Sequence, residues 1–172
     1  MKKLTLIRHA KSSWSDPCLS DFERPLNKRG NRDLPGLAQR VQRFQLYPDH
    51  LLSSGAVRAL TTAKAVSDEL KLPSQQIEVV PELYESCYET LLNVLQNQPD
   101  RHRHIMLVGH NPGLEDLAYY LTHETGLPCP TASVLHIHLS ITSWSELAES
   151  CGALELYDYP KKHLTDSEAE EV

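Results

Sequence analysis

The sequence predicts an α/β fold: a three-layer α/β/α sandwich around a mostly parallel central sheet. Three observations predict it. Short apolar runs at residues 4–7, 50–53, 77–80 and 105–108 have the length of strands. Between them lie segments whose apolar residues step by three and four, the period of a helix face. The two kinds of segment alternate, as parallel strands joined by crossover helices require.

Leu4-Thr5-Leu6-Ile7 reads as a buried strand running straight into Arg8-His9, followed by a polar, turn-rich stretch to about Pro25. Leu34, Leu37, Ala38, Val41 and Phe44 share a helix face, and Pro35 places the start of that helix, or a bend, close by. His50-Leu51-Leu52-Ser53 is the second strand. Ser54 is the expected cap of a helix that carries Ala56, Ala59, Leu60, Ala63 and Leu70 on one face. Residues 77–80 form a third strand, ended by Pro81, and a helix near residues 89–97 follows. Ile105-Met106-Leu107-Val108 is so apolar that it belongs at the sheet centre. Asn111 as cap and Pro112 at the first helical position then start a helix that buries Leu114, Leu117, Ala118 and Leu121. Residues 133–140 alternate like a half-exposed strand, residues 143–150 suit a short helix, and residues 153–157 close the sheet.

At 172 residues the chain fits one domain, read here as residues 1–160, with a charged tail at 161–172. Its formal net charge of −6 argues against general nucleic-acid binding, so an anion pocket has to be local. No apolar run is long enough for a membrane span or a signal peptide. Cys18, Cys87, Cys129 and Cys151 have neither CxxC nor zinc-like spacing, which fits reduced thiols in a cytoplasmic protein.

The chemistry gathers at the carboxyl ends of predicted strands, the edge where open α/β sheets bind ligands. Arg8 and His9 follow the first strand, Arg58 lies in the first turn after the second, and His110 follows the fourth. Helix starts offer free N–H groups to anions, and two guanidinium groups grip phosphate oxygens through paired hydrogen bonds. Two imidazoles add groups that change charge near neutral pH.

In order along the chain, four segments resemble a known family. Leu6-Ile7-Arg8-His9-Ala10 resembles the signature of the histidine phosphatase superfamily, with its phosphoglycerate-mutase-like fold. Arg24-Pro25-Leu26-Asn27-Lys28-Arg29-Gly30, Ser53-Ser54 through Arg58-Ala59 to Thr61-Thr62-Ala63, and Val108-Gly109-His110-Asn111 resemble its later motifs. The short length and the Arg-His-Ala-Lys-Ser start are similar to the compact phosphohistidine phosphatase branch. The resemblance implies that His9 is a nucleophile forming a phosphohistidine intermediate, with its other nitrogen held by a backbone carbonyl. It implies that Arg8, Arg58 and His110 bind the phosphoryl oxygens, that Arg24 contributes to the pocket, and that no metal or cofactor is needed.

Two departures stand out: Ala10 replaces the usual glycine, and the acid that protonates the leaving group is not evident. Glu82 and Glu85 are the candidates, with Glu85 nearer the expected spacing. An imidazole leaving from protonated phosphohistidine needs such an acid far less than an alkoxide does. This favours a histidine-phosphorylated protein as substrate, for example a phosphorelay carrier. The alternatives are a small-molecule phosphomonoesterase and a non-catalytic phosphate-binding module. The small domain with few insertions predicts an open active-site edge. His136 and His138 share a strand face without a third metal ligand, and read as partly exposed. His102 and His104 read as a solvated turn, and residues 166–171 as a solvated acidic end.

Overall fold

The computed structural model describes residues 1–164. Its sheet contains β1 (Lys2–Arg8), β2 (His50–Ser53), β3 (Ile77–Val79), β4 (His104–Gly109), β5 (Val134–Leu139) and β6 (Gly152–Asp158). The helices are α1 (Lys28–Arg43), α2 (Val57–Leu70), α3 (Tyr88–Gln96) and α4 (Gly113–Thr122). The strand order is β3-β2-β4-β1-β5-β6. β1, β2, β3 and β4 pair in parallel, whereas β5 is antiparallel to both β1 and β6.

Strand alternation divides the core into two layers. Leu4, Leu6, Leu52, Ile105, Leu107, Leu135 and Ile137 pack under α3 and α4. Ile7, Leu51, Met106, Val108 and Val134 pack under α1 and α2. With helices on both faces, β4 is buried throughout its length, as its unbroken apolar sequence requires.

Several local expectations give way to tertiary context. α1 begins at Lys28, well before Pro35, because the Asn27 side chain accepts from Gly30 N at 2.8 Å. Pro35 is tolerated inside the helix, where it and Asn31, whose carbonyl loses its i+4 donor, face solvent. β5 is not half-exposed: it lies between β1 and β6, and its polar position His136 is 7% exposed, bonded through Nδ1 to Thr5 Oγ1 at 2.8 Å. His104, expected in a solvated turn, is likewise buried, with Nε2 2.7 Å from the same hydroxyl. Residues 143–150 form only a 3₁₀ turn (Trp144–Glu146), which inserts the fully buried Trp144 into the α3/α4 core.

Part of the expected tail is docked. The 3₁₀ turn Pro160–His163 packs on α1, and His163 bonds the Asp158 carboxylate. Asp158 also takes Arg40 Nε at 2.8 Å in a buried pair. The acidic stretch 166–171 lies outside the described residues. Among the described residues, no helix is long and apolar enough to cross a membrane.

Candidate active site

β1 and β4 are parallel neighbours whose last residues, Arg8 and Gly109, are in register. His9 and His110 therefore emerge side by side, with ring centroids 5.1 Å apart. β2 sits on the other side of β4, and the helix that follows it brings Arg58 to the same edge.

His9 is 6% exposed, and its backbone N–H donates to Gly109 O at 3.1 Å. Its Nδ1 lies 2.7 Å from the Ala10 carbonyl oxygen. A carbonyl can only accept, so Nδ1 carries the proton and Nε2 keeps its lone pair. The Ala10 peptide is itself anchored, its N–H donating to Thr62 Oγ1 at 3.0 Å. Burial, reinforced by His110, Arg58 and Arg8 against the opposing pull of the Ala10 carbonyl, pushes the His9 pKa down to about 3. The ring is neutral at physiological pH.

Three further side chains at this edge each carry a buried nitrogen without a partner among the described residues. Arg8 donates from Nη1 to Cys129 O at 2.9 Å, while its Nε has no partner among the described residues. Arg58 donates to Asp21 O at 2.6 Å and to Asp21 Oδ2 at 3.0 Å, again leaving Nε unpaired. His110 Nε2 is 2.8 Å from Ser54 Oγ, and its Nδ1 has no partner among the described residues. Leaving a buried donor unmade costs about 1–3 kcal/mol, more when it is charged. Three such atoms at one strand edge, two of them on guanidinium groups, form a site that an oxyanion would satisfy.

Other expectations resolve differently. Asn111 does not cap α4: its amide donates to Cys129 O at 2.9 Å and Glu115 Oε2 at 3.0 Å, and Pro112 occupies the cap position. Ser54 lies two residues before the α2 cap, which is Ala56. Arg24 is buried, but its nitrogens are engaged within the chain. Nε and Nη2 reach Asp21 Oδ1 at 3.0 Å, and Nη1 reaches Ser12 Oγ at 2.7 Å and Ser13 O at 3.1 Å. The flat face of its guanidinium stacks 3.5 Å from the centroid of Trp14. Glu85 and Glu82 are both exposed, but only Glu85 lines the cavity of about 380 Å³ beside His110, with Ser86, Cys87, Asn111 and Pro112.

Sequence reasoning missed Asp21 and Tyr84. Asp21 joins Arg58, Arg24 and the Tyr84 hydroxyl, the last at 2.6 Å. The Tyr84 bond, then those from Arg58 and Arg24, outweigh desolvation and hold the Asp21 carboxyl down at about 2. Burial, then Asp21, pushes Tyr84 up to about 12. The available signal was the i,i+3 spacing of Asp21 and Arg24. Thr62 lay inside a recognised motif, but its bond to the Ala10 peptide depends on tertiary contact.

A family model for the histidine phosphatase superfamily (branch 1) matches residues 4–118. The chain belongs to that superfamily. An uncharacterized chloroplast protein of Arabidopsis thaliana is 30% identical over 154 residues, covering 84% of this chain and 70% of its own. An uncharacterized protein of Mycobacterium tuberculosis is 28% identical over 166 residues, covering 90% of this chain and all of its own. Among solved superfamily structures, an Agrobacterium tumefaciens protein assigned as the phosphohistidine phosphatase SixA superposes with a TM-score of 0.78. The two are 26% identical over 92% of this chain and 98% of the other. A protein histidine phosphatase SixA bound to tungstate shares the fold at the same TM-score and 23% identity, covering 93% and 98% of the two chains.

Proposed function

We propose that this superfamily member is a phosphohistidine phosphatase that works without a metal, with His9 Nε2 as nucleophile. One observation carries the reading: the Ala10 carbonyl holds the His9 proton on Nδ1, so Nε2 keeps its lone pair at an edge where Arg8, Arg58 and His110 each have a buried nitrogen without a partner among the described residues. The Nε2 lone pair would attack phosphorus in line, and the P–N bond to the substrate imidazole would break with its electron pair staying on that ring. Water would then cleave the phosphorylated His9, releasing inorganic phosphate. The three donors would stabilise the charge on the equatorial oxygens, the main task in phosphoryl transfer.

The preference for an N–P bond rests on the surrounding acids. Asp21, held at about 2, stays ionised and does not supply a proton. Glu82 and Glu85 are both solvent-exposed, and Glu82 lies outside the cavity beside His110. A leaving imidazole tolerates this arrangement, whereas an alkoxide needs an acid. A protein-borne phosphate is supported by two exposed aromatics, Trp14 at 74% and Phe22 at 41%, which pack on Arg24 and Tyr84 next to the site. The free cysteines, two of them exposed, fit a reducing compartment such as the cytoplasm.

Ester hydrolysis is the second reading, favoured by the place of Glu85 in the cavity beside His110. The test incubates the protein, in chelator, with phosphohistidine peptides and small phosphate esters. Rapid peptide turnover, abolished by His9→Ala and kept by Glu85→Gln, is expected. Ester turnover that Glu85→Gln removes, without peptide turnover, would establish the second reading instead.

A further inference from the structure

We propose that Ser54 is a positioning residue that holds His110 as its Nδ1–H tautomer, so that this ring meets the phosphoryl group as a hydrogen-bond donor. The inference deepens the phosphatase reading and rests on it for the identity of the bound group.

Ser54 is fully buried, and among the described residues two groups reach its Oγ: the Ala56 N–H at 3.2 Å and His110 Nε2 at 2.8 Å. The amide can only donate, so it takes a lone pair of Oγ. The hydroxyl proton then needs an acceptor, and His110 Nε2 is the partner within reach. Nε2 accepts, which places the single proton of a neutral imidazole on Nδ1. Nδ1 is the buried His110 nitrogen without a partner among the described residues. The reverse tautomer would strand a buried hydroxyl proton and present a lone pair where phosphoryl oxygens are to bind. Burial, then Arg58, pushes the His110 pKa down to about 4, so the neutral ring is the form to be placed.

The two histidines are thereby supported in opposite senses. His9 leans on a carbonyl, an obligate acceptor, and offers a lone pair. His110 leans on a hydroxyl able to donate, and offers a proton. One support makes a nucleophile and the other an electrophilic donor from the same side chain.

Long-range ¹⁵N NMR of the full chain near pH 7 distinguishes the tautomers without reference to catalysis. Wild-type His110 is expected as Nδ1–H, and Ser54→Ala is expected to let the Nε2–H form appear. Removing one oxyanion donor costs roughly 10²–10³ in kcat. Ser54→Ala should therefore lower kcat/KM on a phosphohistidine peptide by at least about tenfold, and Ser54→Thr should restore much of it. In a His110→Ala background, Ser54→Ala should change the residual kcat/KM by less than about twofold, because the two residues act as one unit. An Nε2–H signal from wild-type His110, or a full additional loss in the double variant, overturns the proposal. An Nδ1–H signal in a protein that turns over no phosphohistidine supports the tautomer assignment and refutes the phosphatase reading.

Discussion

Replacing Gly30 with alanine would place a methyl carbon 2.1 Å from the Lys11 carbonyl oxygen and 3.0 Å from Lys11 C and N. Close C···O contacts in proteins settle near ~3.3 Å, so about 1.2 Å of separation has to be found. The obstacle is backbone, so rotating a side chain does not provide it. Lys11 O also accepts from Asn27 N at 2.9 Å, at the start of α1, and Lys11 follows the Ala10 peptide that holds His9. Overpacking costs about 1–3 kcal/mol and the strained Asn27 bond about 1 more. The better helix propensity of alanine returns about 1. The net is a loss of about 2 kcal/mol, or roughly 4–8 °C in melting temperature for a chain of this size. Activity should fall further than stability, since a ~1 Å displacement of a reacting group can cost about 10²-fold. Gly36→Ala in the same helix is the control: its added carbon meets only the end of the Arg40 side chain, at 3.1 Å, and should stay within about 1 kcal/mol of wild type. Calorimetric melting and kcat/KM on a phosphohistidine peptide measure both effects. A Gly30→Ala protein that melts with the wild type and keeps its activity would refute the reasoning.

Burial pushes His104, His110 and His136 down to about 4 and His9 to about 3, whereas in the unfolded chain each returns to about 6.5. Between pH 4 and 6.5 the unfolded chain therefore binds more protons, and stability rises with pH through that window before levelling off. Urea unfolding at pH 5 should give a free energy lower by a few kcal/mol than at pH 7.5, and a flat profile would contradict the neutral, buried assignments. Trp14→Ala should lower kcat/KM for a histidine-phosphorylated protein by roughly tenfold, mainly through KM, as loss of an interfacial tryptophan does. Phosphoramidate, which is too small to reach the indole, should be turned over as before, and equal losses on both substrates would refute a docking role.

Legibility followed the range of the forces involved. Strands β1, β2 and β4 and the buried faces of α2 and α4 were readable because burial periodicity is written locally. β5 was misjudged because its two histidines read as polar. Thr5 on the next strand supplies His136 with a hydrogen-bonding partner, and only strand pairing brings them together. Ser54 and Asn111 read as caps from their neighbours in sequence, yet besides local bonds to Ala56 and Glu115 their side chains reach His110 and Cys129, 56 and 18 residues away.

By itself the sequence determined that Arg8, His9, Arg58 and His110 would meet. Arg8 ends a strand that is recognisable alone, the others follow such strands, and parallel strands deliver their carboxyl ends to one edge. Only the tertiary structure decided what each group can do there. It turned Arg24 toward Asp21 and Trp14, introduced Asp21 as the partner of Arg58, and left Nδ1 of His110 and Nε of Arg8 and Arg58 without partners among the described residues. It also settled which nitrogen of His9 holds the proton. The physical reason is that proton placement depends on the hydrogen-bond partner of each atom and on its burial, and both arise from residues distant in the chain.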